Sequence, residues 1–136
     1  LIHGVDSFRL LKEINKQAEK HNRVIDCLLQ MHIAKEETKF GLDDSELQAL
    51  LTDSEFSNLK NVRIVGLMGM ATFTENQNQI QSEFAYLKSK YDWVSKQLQG
   101  INTLSMGMSG DYAIAVDEGS TMVRIGSSIF GSRQYT

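Results

Sequence analysis

A chain of 136 residues, 41% of them hydrophobic and 23% charged, has the size and balance of one globular domain, and no linker or low-complexity tract divides positions 1–136. Its 14 basic and 17 acidic residues leave a net charge of -3 with no basic block, which argues against a nucleic-acid partner. No apolar stretch approaches the roughly 20 residues of a membrane span, and the single cysteine, Cys27, has no partner for a disulfide, which points to a reducing, cytoplasmic setting.

The chain opens on the apolar run Leu1 to Val5, a predicted strand, without an initiator Met or a charged signal region, and reads as a piece of a longer protein. Asp6-Ser7 then offers cap oxygens to a helix whose apolar face is Phe8, Leu11, Ile14 and Ala18. Val24 to Gln30, nearly all apolar and holding Cys27, fits a strand buried on both faces of a parallel sheet, and a polar loop over Lys35 to Lys39 ends at Gly41. Asp44-Ser45 is the expected cap of a helix through Glu46, Leu47, Leu50 and Leu51, followed by a strand over Val62 to Leu67. The clearest helix carries Ile80, Phe84, Leu87, Tyr91, Val94 and Leu98 on one stripe, with Gly100 as its expected C-cap and Glu83 and Asp92 on its solvated face. A short strand at Leu104 to Met106, a helix at Asp111 to Val116 and a strand at Met122 to Ile125 complete five β units alternating with helices. Such alternation predicts an α/β fold with a parallel sheet, either open and doubly wound or part of a (β/α)₈ barrel, and the pattern alone does not choose.

Two stretches place Gly and Ser where buried strands finish: Ser105-Met106-Gly107-Met108-Ser109-Gly110-Asp111 and Val123-Arg124-Ile125-Gly126-Ser127-Ser128. Glycine lets the backbone approach a ligand, serine adds a hydroxyl, and a strand-to-helix turn directs N–H groups at an anion, so the pair describes a phosphate cradle. Barrels commonly form such a site after their last two strands. From the residues alone, Arg124 on a buried strand is more readily an ion-pair partner of a carboxylate such as Asp111 or Glu118 than a ligand contact. The methionines Met68, Met70, Met106 and Met108 read as packing, and His3, His21 and His32 lack the spacing of a metal site.

The run Leu104 to Asp111, then Ala113-Ile114, then Gly119-Ser120-Thr121-Met122-Val123-Arg124-Ile125-Gly126-Ser127-Ser128-Ile129-Phe130-Gly131-Ser132-Arg133, closely resembles the C-terminal signature of the pyridoxal phosphate homeostasis proteins. Ile2 to Ser7 resembles that family's fourth barrel strand, Leu29-Gln30-Met31-His32-Ile33 its fifth, and Gly66 to Ala71 its sixth, with His32 and Gly69 departing from the residues many members carry. The resemblance implies a partial (β/α)₈ (TIM) barrel comprising strands four to eight of an alanine-racemase-like, pyridoxal 5′-phosphate (PLP) binding fold. It implies that Met108, Ser109, Gly126 and Ser127 hold the phosphate and that Arg124 faces the pyridine nitrogen. In the family the cofactor joins a lysine on the first strand, which this chain lacks, so binding here is expected to be non-covalent.

The implied role is that of a non-catalytic PLP carrier in intracellular PLP homeostasis, with no catalytic residue of its own. The alternative is a fragment of a PLP-dependent, racemase-like enzyme, and a third reading is an interaction fragment whose cradle takes inorganic phosphate. Strands four and eight would each leave an open edge, together with apolar inner faces, so self-association through the barrel edges is a further expectation.

Overall fold

The computed structural model describes residues 1–35, 41–108 and 111–124, and at positions 108 and 124 the backbone only. Among these residues five strands alternate with four α-helices: β1 (Ile2–Val5), α1 (Phe8–Lys20), β2 (Ile25–Gln30), α2 (Asp44–Thr52), β3 (Val62–Gly69), α3 (Gln77–Gln97), β4 (Thr103–Met108), α4 (Tyr112–Asp117) and β5 (Met122–Arg124). All neighbouring strands pair in parallel, in the spatial order β1-β2-β3-β4-β5.

That order decides between the two architectures the alternation left open. A doubly wound sheet reverses its strand order at a switch point and carries helices on both faces. Here the order never reverses, and one continuous core joins Val5, Cys27, Leu29, Ile64, Leu67, Leu104 and Met106 of the strands to Leu11, Leu47, Phe84, Leu87 and Ala115 of the helices. Helices on one face of a sheet built in chain order make an arc of a barrel.

Local chemistry explains the element ends. Ser7 accepts from the Leu10 amide at 3.0 Å and starts α1. The helix closes in a Schellman turn: Asn22 takes φ 52°, and the Asn22 and Arg23 amides donate to the Glu19 and Ala18 carbonyls. At α2 the cap is Asp43, one residue before the expected Asp44-Ser45. Its carboxylate accepts from the Glu46 amide at 2.7 Å while Glu46 accepts from the Asp43 amide at 3.0 Å. The capping box selects Asp43 because Glu46 stands three residues on, at the position that can reach back. The long helix stops at Gln97 with Leu98 already extended, so Leu98 is a cap and Gly100 lies beyond the helix end.

The barrel-side face carries a smaller cluster, Leu28, Val65 and Met68, with Gln30 and Ser105 also buried. An open inner face was the expectation, yet Leu28 is 0% exposed and Met68 3%. The reason lies in two long side chains. Gln30 and Met68 reach across toward β1, where a Cβ built on Gly4 would stand 3.0 Å from Gln30 Oε1 and 3.7 Å from Met68 Sδ. Position 4 offers no side chain, and its neighbours fill the space.

The alternation of faces breaks once in β3. Cys27 pairs with Ile64 but Leu28 pairs with Gly66, so Val65 is an extra residue, a β-bulge. Ile64 and Leu67 consequently both reach the helix-side core although three residues apart. Cys27 itself is fully buried, and burial pushes its thiol up to about 11, which keeps it an inert packing group.

Candidate functional site at the carboxyl ends of the last two strands

In parallel α/β folds ligands collect where strands end, because the loops that follow converge there. Met108 is the last residue of β4, Arg124 the last of β5, and the two are Cα partners across the ladder. Two of the five residues assigned to the cofactor are thus side by side on one rim. Ser109, Gly126 and Ser127 lie outside the described residues. Chain connectivity keeps Ser109 one residue from the end of β4, and Gly126 and Ser127 two and three residues from the end of β5.

The rim is shaped by Gly107. Its φ of +102° is a conformation that side chains resist, and a Cβ there would point at the Ala115 Cβ (2.6 Å), on the helix side. Met106 already faces that side. Two consecutive positions turned toward the helices mean that the strand resets its alternation just before Met108, where the β4–β5 register also shifts.

Hydroxyls repair the ladder across that irregularity. Thr121 Oγ1 accepts from the Leu104 amide at 2.7 Å, and the Thr121 amide donates to the Leu104 carbonyl at 2.9 Å. Ser120 Oγ lies 2.8 Å from the Met106 carbonyl and 2.7 Å from the Met122 carbonyl, donating its one proton to either, while the Met106 amide approaches it at 3.4 Å. The Gly119-Ser120-Thr121 part of the signature therefore stitches β4 to β5. Sequence reasoning assigned it no role, because a hydroxyl that substitutes for a ladder bond has no signature until the register is known.

Ser105 is the contrasting case. It is 0% exposed, and its Oγ has no hydrogen-bond partner among the described residues. Its neighbours Leu104 and Met106 enter the helix-side core, so Ser105 faces the barrel interior, in one row with Gln30, Met68 and Met122. A buried hydroxyl left unpaired costs about 1–3 kcal/mol, a cost that an alanine would avoid.

A cleft of about 420 Å³ lies away from β4 and β5 and is lined by His32, Lys35, Asp43, Asn76, Gln79 and Glu83, among others. Glu83 was expected on the solvated face of the long helix, but it is buried at 7% exposure. Its carboxylate accepts from the Thr72 amide (2.6 Å), the Thr72 hydroxyl (2.5 Å) and Gln79 Nε2 (3.1 Å), and the Lys35 amide donates to Thr72 Oγ1 at 2.8 Å. One carboxylate thereby ties the β3–α3 loop to α3 and, through Thr72, to the loop after β2. The burial follows from the loop folding back over the helix, which periodicity within α3 does not reveal. Asp92, by contrast, is solvated and pairs with Lys88 at 2.6 Å.

The family described as alanine racemase, N-terminal domain, matches residues 1–134. The chain belongs to that family. Within it the chain is similar to pyridoxal phosphate homeostasis proteins: it is 38% identical to the one from Aquifex aeolicus (strain VF5) over 137 residues, covering 99% of this chain and 59% of that protein. The protein of the same name from Escherichia coli (strain K12) is 34% identical over 141 residues, with 98% of this chain and 56% of that one covered. The chain therefore spans somewhat under two thirds of the length of these relatives. Among solved structures, PipY of Synechococcus elongatus PCC7942, known with and without PLP bound, superposes with a TM-score of 0.83 at 34% identity over 96% of this chain and 60% of PipY. An alanine racemase from Bartonella henselae shares the fold alone, with a TM-score of 0.63 at 18% identity over 100% of this chain and 39% of that one. For a member of the alanine racemase N-terminal family, five parallel strands and their outer helices are the matching part of the barrel.

Proposed function

We propose that this chain binds pyridoxal 5′-phosphate reversibly at the carboxyl ends of β4 and β5 and serves PLP homeostasis as a non-catalytic carrier. The observation that carries the reading is the pairing of Met108 with Arg124 at the ends of adjacent parallel strands, which brings two Gly/Ser segments to one rim. The residues fit the cofactor. Ser109 and Ser127 supply hydroxyls and Met108, Gly126 and Ser127 backbone amides for the phosphate, while the interior wall beneath the rim carries the Ser105 hydroxyl, which has no partner among the described residues.

Arg124 sets the character of the site. A guanidinium offers donors only and stays protonated, so a pyridine nitrogen facing it accepts and remains unprotonated. The cofactor's chemistry is to withdraw electrons from an attached amino acid, and that withdrawal is weaker from an unprotonated ring. The arrangement therefore suits holding and delivery better than turnover. Carrier function also agrees with what the relatives are called, and with the PLP bound to PipY.

Equilibrium titration of this chain with PLP, pyridoxal and inorganic phosphate tests the reading. PLP is expected to bind more tightly than pyridoxal, and Ser109→Ala and Arg124→Ala are each expected to weaken PLP at least about tenfold, the value of one hydrogen bond to a charged group. Absence of binding to all three ligands would assign the cofactor site to a longer barrel and refute it for this chain.

The edges of the arc bear on association. Among the described residues β1 pairs only with β2 and β5 only with β4. Unpaired parallel edges are templates for another strand. The chain is expected to sediment as a dimer or larger species at micromolar concentration, and a monomer under those conditions would dispose of edge pairing.

A further inference from the structure

We infer that Ser105 is a ligand contact on the ring side of the same site, its hydroxyl donating a hydrogen bond to an acceptor on the bound pyridoxal ring and not to the phosphate. The inference rests on the PLP-binding reading given above.

The hydroxyl is in the right environment for that role and in no other that the structure shows. Ser105 is fully buried, its Oγ has no hydrogen-bond partner among the described residues, and it faces the interior row formed with Gln30, Met68 and Met122. Two of those neighbours are methionines, whose thioethers are weak acceptors and pack readily against a flat ring. Ser120 and Thr121 sharpen the contrast. They lie between the same two strands, and both of their hydroxyls are engaged by backbone groups of β4. Where the β4–β5 ladder needs a hydroxyl it has one; Ser105 is surplus to that need.

Depth agrees as well. Ser105 pairs with Met122, two residues before Arg124 on β5. At the rise of a parallel strand the Ser105 row therefore lies roughly 7 Å below the Arg124 row. A ring hung by its phosphate from the rim reaches inward from there. With the ring nitrogen already accepting from Arg124, the phenolic oxygen is the remaining acceptor on a pyridoxal ring, and a serine hydroxyl can donate to it.

The test compares Ser105→Ala and Ser105→Cys with the wild-type chain, measuring affinity for PLP, pyridoxal and inorganic phosphate together with thermal unfolding without ligand. Ser105→Ala is expected to unfold at the same temperature as wild type or higher. It should bind PLP and pyridoxal about tenfold more weakly and leave phosphate unchanged, and the cysteine variant, a poorer donor of similar size, should fall between. PLP and pyridoxal affinities within twofold of wild type would overturn the inference while leaving the PLP reading intact. A lowered unfolding temperature with equal losses for all three ligands would also overturn it, by making Ser105 a structural residue. A wild-type chain that binds neither PLP nor pyridoxal would overturn both together.

Discussion

Replacing Gly66 with alanine is expected to remove a large share of the chain's folding stability. The bulge at Val65 turns position 66 toward the next strand, so that a Cβ there would lie 1.7 Å from the Thr103 carbonyl oxygen and 2.6 Å from its carbon. Both atoms are backbone, and Thr103 is the register partner of Gly66, so no side chain can swing aside. Relief requires β3 and β4 to separate at the centre of the sheet. Overpacking in a well-filled interior costs about 1–3 kcal/mol when side chains can adjust. Here the cost should exceed about 3 kcal/mol and lower the unfolding midpoint by about 10 °C or more. Circular dichroism melts of the wild-type and Gly66→Ala chains would show it. A midpoint within a few degrees of wild type would mean that the bulge and its register are wrongly drawn.

Gly107→Ala should strike the ligand site harder than it strikes the fold. The substitution asks alanine to hold φ +102° and sets its Cβ 2.6 Å from Ala115 Cβ, 3.2 Å from Val123 Cγ1 and 3.3 Å from the Tyr112 Cα. Strain and crowding together should cost about 2–4 kcal/mol. The chain can relax by straightening the reset before Met108, and doing so shifts Met108 against Arg124. PLP affinity should therefore fall by more than about tenfold, beyond any loss explained by the unfolded fraction. Titration at a temperature where the variant is still folded separates the two effects. Unaltered affinity there would show that the rim does not depend on this turn.

Much of the fold was legible from period alone, because each apolar run and each stripe reports burial on its own element. The five strands and the stripe from Ile80 to Val94 are of this kind, and the cap at Ser7 is equally local. What period could not supply was anything set between elements. Barrel or doubly wound sheet depends on strand order, which five alternating units leave open until Leu11, Leu47, Phe84 and Ala115 are seen in one core. Glu83 looks solvated on a helical wheel and is buried because a loop arrives over it.

The site divided in the same way. Met108 and Arg124 could be named from the signature, and the ladder placed them together. The cradle residues Ser109, Gly126 and Ser127 rest on the resemblance and on the proposed titrations. Ser105 stood in the quoted run without a role, since only the register reveals which face a serine occupies and whether its hydroxyl is taken.

The order of the strands has a consequence for how the molecule assembles. Among the described residues every strand after β1 pairs with the strand made just before it, so this part of the sheet can extend one unit at a time as the chain emerges. The β4–β5 pair is the last of the described strand pairs in chain order, and β5, three residues long, is fastened through Ser120 and Thr121. A molecule held between β4 and β5 would act as a clasp on that short strand, adding its binding energy to a ladder of few rungs.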